Sequence, residues 1–396
     1  MARQWAERLA HLGTNVFAAM DTAKSQARHA GLEVIDLSLG SSDLAPPPRV
    51  LAAIQEALRD PATYGYNLFA STAPFRQAAA RWYERKFGLA IDPEREVLPL
   101  IGSQEGTGHL PLAVLNPGDY ALLADPGYPS HLGGVALAGG IPYFLPLRRE
   151  RGFLPDLAEV PAAVARASRL LVLSYPHNPT TATASLGFWR EAVAFCREYD
   201  LVLVHDFPYV DWVFDGELPP SVLQADVDKQ LSLEFFSLSK SFHMGGFRVG
   251  YAIGNAELIQ ALRQVKAAID FNQYQGILRG AMVALEQEWE FPQRSLQVYR
   301  ERRDVAVAAL QRIGWSVPTP KATMYLWMPL PAVGWSSMDF CLELVRQTGV
   351  ALAPGSGFGS QGEGYVRLAL VEDPPTLERA IARIGTFLQR ASVAVF

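Results

Sequence analysis

Lys240 closes the run Ser237-Leu238-Ser239-Lys240, directly after the apolar stretch Leu231-Ser232-Leu233-Glu234-Phe235-Phe236, and Arg248 follows in Gly245-Gly246-Phe247-Arg248-Val249-Gly250. A lysine held at the end of a buried strand can lose its proton, because desolvation disfavours the ammonium, and the free amine can then attack a carbonyl carbon. That is the first step of Schiff-base formation. The neighbouring hydroxyls and the guanidinium of Arg248 are groups that hold a phosphate. An isolated S-x-x-K also describes a surface lysine after a strand, so its weight comes from its company.

The company is extensive. Ser103 and Gln104 follow the apolar run 97–101 in Gly102-Ser103-Gln104-Glu105-Gly106 and open a helix whose free N–H groups make an anion site. Tyr128 follows a second run, in Asp125-Pro126-Gly127-Tyr128-Pro129, and Asn178 a third, in Tyr175-Pro176-His177-Asn178-Pro179-Thr180. Asp206 and Tyr209 follow a fourth. An aspartate against a pyridine nitrogen keeps it protonated and lets the ring accept electrons, which suits Asp206. Asn178 and Tyr209 can hydrogen-bond a phenolic oxygen, Tyr128 can stack on the ring face, and Ser103, the N–H of Gln104, Ser237 and Arg248 can enclose a phosphate. Lysine, ring ligands and phosphate ligands together point to pyridoxal 5′-phosphate as the cofactor. Singly, each residue has a plainer account: Asn178-Pro179 as a turn former, Asp206 as a helix cap, Tyr128 as a rim aromatic and Tyr209 as core.

The elements that must position these residues are legible as apolar runs at 97–101, 121–124, 143–147, 170–174, 201–205, 233–238 and 249–253, alternating with helix-patterned segments such as 188–199 and 256–268. Runs apolar on both faces are the mark of strands covered by helices, so an α/β domain with a mostly parallel seven-stranded sheet is expected. Ligands of such sheets collect at the carboxyl ends of the strands, which is where these candidates fall. From 281 to 313 the pattern predicts a long bridging helix; strands are expected at 325–328, 349–353 and 365–370, and a closing helix at 375–390. This gives a large domain over 47–285, with the N-terminal segment 1–46 joining a smaller α+β domain formed with 286–396.

Composition sets outer limits. The chain has 396 residues, 49% of them apolar and 19% charged, with a formal net charge of −5, which argues against nucleic-acid and anionic-membrane partners. Cys196 and Cys341 show neither a disulfide framework nor metal-ligand spacing. The N-terminus, with Arg3, Glu7 and Arg8, lacks the apolar core of a signal peptide, and no window is apolar enough to span a bilayer. A cytoplasmic setting is the expectation.

The order Gly102-Ser103-x-x-Gly106, Pro126-Gly127-Tyr128-Pro129, Asn178-Pro179-Thr180, Asp206-x-x-Tyr209, Ser237-x-Ser239-Lys240 and the late Arg367 resembles the class I/II aminotransferases of pyridoxal-phosphate fold type I, over essentially the whole chain. Within them, Val34-Ile35-Asp36-Leu37-Ser38-Leu39-Gly40, the 102–106 turn and Gly362-Glu363-Gly364-Tyr365-Val366-Arg367 are most similar to the bacterial LL-diaminopimelate aminotransferase-like branch. The resemblance implies that Lys240 binds the cofactor and shuttles the substrate's α-proton. It implies that Arg367 grips the substrate α-carboxylate, with Gly40 and Asn178 beside it. It further implies a homodimer with shared active sites, Tyr66 reaching the partner's phosphate, and ping-pong transfer between an L-amino acid and a 2-oxo acid. Diaminopimelate and aspartate-, glutamate- or alanine-type donors stay open, with 2-oxoglutarate as acceptor; Arg279 is a candidate for a side-chain carboxylate. The chain departs from the pattern at Gln104, Thr181 and Ser71, where a lysine, a glycine and a glycine are usual.

Two other readings compete. A lyase, decarboxylase or Cα–C synthase would use the same scaffold, and a cofactor-sensing regulator would need a DNA-binding module for which about 45 leading residues are too few. Gly357-x-Gly359-x-x-Gly362 spells a dinucleotide fingerprint, but it leads into a strand-like run where that fingerprint requires a helix. His243 and His177 flank the chemistry and are expected to pack or hydrogen-bond.

Overall fold

The computed structural model describes residues 5–12, 16–331 and 334–393; Arg3 lies outside them. Its strands are β1 (Ile35–Asp36), β2 (Val97–Leu100), β3 (Tyr120–Asp125), β4 (Ile141–Pro146), β5 (Ser168–Leu173), β6 (Val202–Asp206), β7 (Ser232–Ser237), β8 (Gly250–Gly254), β9 (Tyr325–Pro329), β10 (Val350–Ala351), β11 (Ala353–Pro354) and β12 (Tyr365–Ala369). Seven form one sheet in the order β2-β8-β7-β6-β5-β3-β4. Its pairs are parallel from β4 through β7, and β8 runs antiparallel to both neighbours.

The sheet is buried on both sides, which is why its strands read as unbroken apolar runs rather than alternating ones. Successive side chains still point to opposite faces. Leu203, Phe207 and Phe236 pack on one side with Trp82, Tyr83 and Trp189, while Val204, Leu233 and Phe235 pack on the other with Leu98, Leu110 and Val135. Each such side chain contributes about 1.5–3 kcal/mol on burial. The covering helices start at identifiable caps. Ser185 accepts from the Phe188 N–H at the head of Leu186–Tyr199, and Asn255 accepts from Glu257 and Leu258 at the head of Ala256–Ile269.

The expected bridging helix over 281–313 is two helices, Gln275–Gln287 and Phe291–Arg312. Glu288 leaves helical backbone at φ −108°, ψ 39°, and Pro292 sits in the first turn of the second helix, where a missing N–H costs nothing. The expected strand at 349–353 also divides. Val350–Ala351 pairs in parallel with β1, and Ala353–Pro354 pairs with β12, which in turn pairs with β9. Residues on either side of the large sheet's sequence thus share a core: Met20, Ile35 and Leu37 pack with Tyr299, Leu310, Phe340, Leu344 and Ile381. Among the described residues no helix is long and apolar enough to cross a membrane.

Candidate functional site

The turns beyond the carboxyl ends of the sheet strands and the segment after β1 enclose a cavity of about 460 Å³, within the range of cofactor sites. Gly40, Ser103, Gln104, Tyr128, Asn178, Asp206, Tyr209, Ser237, Lys240, Arg248 and Arg367 all line it, drawn from distant parts of the sequence.

Lys240 projects from the short helix Leu238–Ser241, which β7 feeds directly and which Ser237 caps by accepting from the Ser239 N–H at 3.2 Å. Its Nζ donates to the Gly40 carbonyl at 2.5 Å. Burial lowers its pKa from the ordinary lysine value; the charges of Arg367 and Arg248 act the same way, and Tyr325 opposes them. Asp206 ends β6. Its Oδ2 lies 3.0 Å from His131 Nε2, while its Oδ1 is buried without a partner. His131 stands on the helix Pro129–Leu137, about one turn beyond Tyr128, so the turn after β3 supplies both an aromatic face and the support for the carboxylate.

The preceding residue faces the other way. His205 meets Glu234 at 2.8 Å on neighbouring β7, and its other ring nitrogen meets the Tyr175 carbonyl at 2.8 Å. Glu234 also accepts from Tyr83 at 3.0 Å, Ser221 at 2.8 Å and the Val222 N–H at 2.9 Å, so this carboxylate is fully buried yet satisfied.

Ser103 and Gln104 open the helix Ser103–Val114. Gly102 precedes it at φ 76°, and a Cβ there would lie 2.6 Å from Arg248, so only glycine lets the guanidinium close on the turn. Glu105 fixes the turn from below by accepting from the Ile101 N–H and pairing with Lys266 at 2.5 Å. Glu105, His109 and Asp270 come within metal-ligand range of one another, but the Lys266 ammonium already stands among them, 3.6 Å from Asp270.

Arg367, on β12, is buried with one N–H bonded to Asn178 Oδ1 and another to the Ser38 carbonyl, each at 2.7 Å. Its Nε has no partner. The guanidinium lies between the rings of Tyr325 and Phe358, 4.2 and 4.6 Å from their centroids. Phe358 comes from the glycine-rich loop, which forms short 3-10 turns over 355–362 and leads into β12. That loop docks on the turn bearing Tyr128: Asp125 accepts from Ser360 at 2.7 Å and from the Gln361 N–H at 3.0 Å.

Two expected positions fall elsewhere. Arg279 pairs with Asp60 at 2.7 Å and does not line the cavity, because its helix packs beside 48–57. Tyr66 is 97% exposed and outside this chain's cavity. His243 lines the cavity, its two ring nitrogens each 2.8 Å from the hydroxyls of Ser42 and Ser295, and His177 meets Thr180 at 2.8 Å. Sequence reasoning missed His131, Tyr325 and Phe358. For His131 a signal existed, since a histidine three residues after Tyr128 on a helix returns to the same face.

The unpartnered Asp206 Oδ1 and Arg367 Nε are separate demands for a ligand, one for a protonated base and one for an anion. With Tyr128 at the cavity wall and a helix N-terminus at one end, the residues fit a flat, basic heterocycle bearing a phosphate.

A sequence profile of the family described as "Aminotransferase class I and II" matches residues 33–384. An LL-diaminopimelate aminotransferase from Syntrophobacter fumaroxidans is 42% identical over 97% of this chain and 99% of that protein, and one from Dehalococcoides mccartyi is 41% identical over 97% and 99%. A solved structure described as a probable N-succinyldiaminopimelate aminotransferase from Thermus thermophilus superposes with a TM-score of 0.89 at 47% identity, over 94% of this chain and 99% of that one.

Proposed function

Since the chain belongs to the class I and II aminotransferases, a family known to use pyridoxal 5′-phosphate, and is itself an aminotransferase of that fold, we propose that its cavity holds this cofactor on the residues that line it. When bound, the cofactor supplies an electron sink that makes the C–H bond beside a carboxylate acidic. Lys240 Nζ is the attachment point and the base, a buried amine whose lowered pKa suits taking up and returning that proton. Asp206 Oδ1 accepts from the ring nitrogen. Asn178, with Oδ1 committed to Arg367, offers its NH₂ to the phenolic oxygen, and Tyr209 offers its hydroxyl. Tyr128 covers the ring, and Ser103, the Gln104 N–H, Ser237 and Arg248 hold the phosphate. Arg367 receives the substrate α-carboxylate, with the Gly40 backbone and Asn178 beside it.

The single observation that carries this reading is the meeting of all these residues at one cavity. We further propose LL-diaminopimelate as the leading donor, with 2-oxoglutarate as acceptor, supported by relatives at 42% and 41% identity that bear that name. The N-succinyl form is the second candidate, because a solved chain at 47% identity carries it in its description. The active enzyme is read as a homodimer in which Tyr66, on the exposed turn 64–67, reaches the partner's phosphate. Its setting is read as cytoplasmic, in keeping with two buried, unpaired thiols. The large domain is read as 47–285, with 1–46 and 286–396 forming the small one.

The test is to reduce the pyridoxal-phosphate-loaded enzyme with borohydride and map the pyridoxyl peptide, then to screen amino donors, including both diaminopimelates, against 2-oxoglutarate. The pyridoxyl group is expected on Lys240; its recovery on another lysine refutes the assignment.

A further inference from the structure

Tyr325 opens β9 and is buried in the cavity wall, where three separate parts of the site converge on it. Its hydroxyl lies 2.8 Å from that of Tyr209. Its ring carries the Arg367 guanidinium at 4.2 Å. The strand-like segment after β1 passes directly against its phenol: a Cβ on Gly40 would lie 1.8 Å from the Tyr325 oxygen, and the Gly40 carbonyl is the acceptor for Lys240. One phenol therefore touches Tyr209, Arg367 and the backbone that holds the lysine.

Two hydroxyls in contact share one proton along the line between them, so one donates and the other accepts. Tyr209 is free to donate into the cavity only if it is the acceptor in this pair. The 2.8 Å contact lets either hydroxyl donate, and the role assigned to Tyr209 requires Tyr325 to be the donor. A hydroxyl that accepts one bond donates a stronger second one.

We infer that Tyr325 is a positioning residue for amino transfer: its hydroxyl turns the Tyr209 proton toward the cofactor's phenolic oxygen, and its ring holds the Arg367 guanidinium flat at the carboxylate subsite. The inference rests on the assignment of Lys240, Tyr209 and Arg367 above. It separates into two parts that different substitutions remove. Tyr325→Phe deletes the hydroxyl and keeps the ring, and Tyr325→Leu deletes both.

The experiment uses cofactor-loaded enzyme, with folding of each variant checked by its thermal transition. The pH midpoint of the bound cofactor's absorbance change reads the Tyr209 part, and KM for the amino acid against kcat reads the Arg367 part. Tyr325→Phe is expected to move the midpoint upward, as Tyr209→Phe does, because the phenolic oxygen loses a well-aimed donor, while KM stays within about twofold. Adding Tyr325→Phe to Tyr209→Phe is expected to move it no further, since the two act through one bond. Tyr325→Leu, or Tyr325→Met where Leu fails to fold, is expected to raise KM by a further factor of about ten, from loss of the cation–π support.

A wild-type midpoint in Tyr325→Phe, or shifts that simply add in the double variant, overturns the first part. A KM in the Leu and Met variants equal to that of Tyr325→Phe overturns the second. Failure of the underlying assignment is distinguishable, because it appears in the unmutated enzyme as a pyridoxyl group on a lysine other than Lys240.

Discussion

Removing the Arg367 guanidinium tests the carboxylate subsite most directly. Of its five N–H groups one is spent on Asn178 and one on Ser38, and the unpartnered Nε heads the set that remains. A forked pair of bonds to a carboxylate uses two of these, at about 1.5–3 kcal/mol for each bond to a charged group. The sum is roughly 3–6 kcal/mol, or about 10²–10⁴ in kcat/KM at about 1.4 kcal/mol per factor of ten. Arg367→Met is expected to lose that factor. Arg367→Lys, with a point charge that cannot span the fork, keeps one bond and loses about half of it on a logarithmic scale. Both variants also strand Asn178 Oδ1 and the Ser38 carbonyl, so a drop in thermal stability is expected and is measured separately. The assay is initial-rate transamination with 2-oxoglutarate, comparing the best amino donor with the amine that lacks its carboxylate. The wild type discriminates strongly between the two and Arg367→Met does not. Retention of kcat/KM within about threefold, or undiminished discrimination, refutes the assigned role.

Three further outcomes are expected. Asp206→Ala lowers kcat by about 10²–10³ through loss of a preorganised charge, while the fold persists on the far side of the sheet; near-normal turnover would make Asp206 structural only. Acid weakens the fold through His243 and His177, whose pKa values burial holds down to about 4 and about 3, the latter with the nearby charge of His131 contributing. Between the ordinary histidine value of 6.5 and these numbers, the unfolded chain binds protons that the folded chain does not, so stability is intact above pH 6.5 and falls as pH drops toward 4, by on the order of 3 kcal/mol for His243. Urea unfolding at about pH 7 and about pH 4.5 checks this, with His243→Asn losing less than wild type; equal losses would remove His243 from the account. Mixed Lys240→Ala and Tyr66→Phe subunits recover activity on exchange, because one site of each heterodimer carries neither defect; no recovery despite verified exchange means that Tyr66 does not serve a partner's site.

Much of the site was legible because sheet geometry converts sequence order into spatial convergence. The apolar runs ending at 101, 124, 174 and 205 each delivered their next polar residues to one rim, and the sheet strands 97–254 followed the expected runs closely. Tyr325 and Phe358 were not legible, since their roles depend on how the small sheet β11-β12-β9 is placed against the large one, and a tyrosine at the head of an apolar strand looks like any core residue. The break at 288–290 escaped notice because Glu and Trp carry no strong stop signal, and Pro292 begins a helix as readily as it ends one. Tyr66 is a different case: a single chain leaves it 97% exposed, and the role proposed for it lies on a second copy.

β6 carries Asp206 into the cavity and His205 into the buried polar cluster around Glu234, so one peptide unit serves two faces with unrelated tasks. A screen that scores only growth or turnover will rank substitutions at Tyr83, Ser221 or Glu234 beside those at Asp206, although none of the three lines the cavity. Temperature sorts them. Loss at the Glu234 cluster is expected to loosen the strand that aims Asp206 and to be recoverable by cooling, whereas loss at Asp206 itself is expected to persist at every temperature. Attempts to retune this enzyme for another donor belong at cavity-lining positions without an assigned role, such as Leu39, and must leave the reverse side of β6 and β7 untouched.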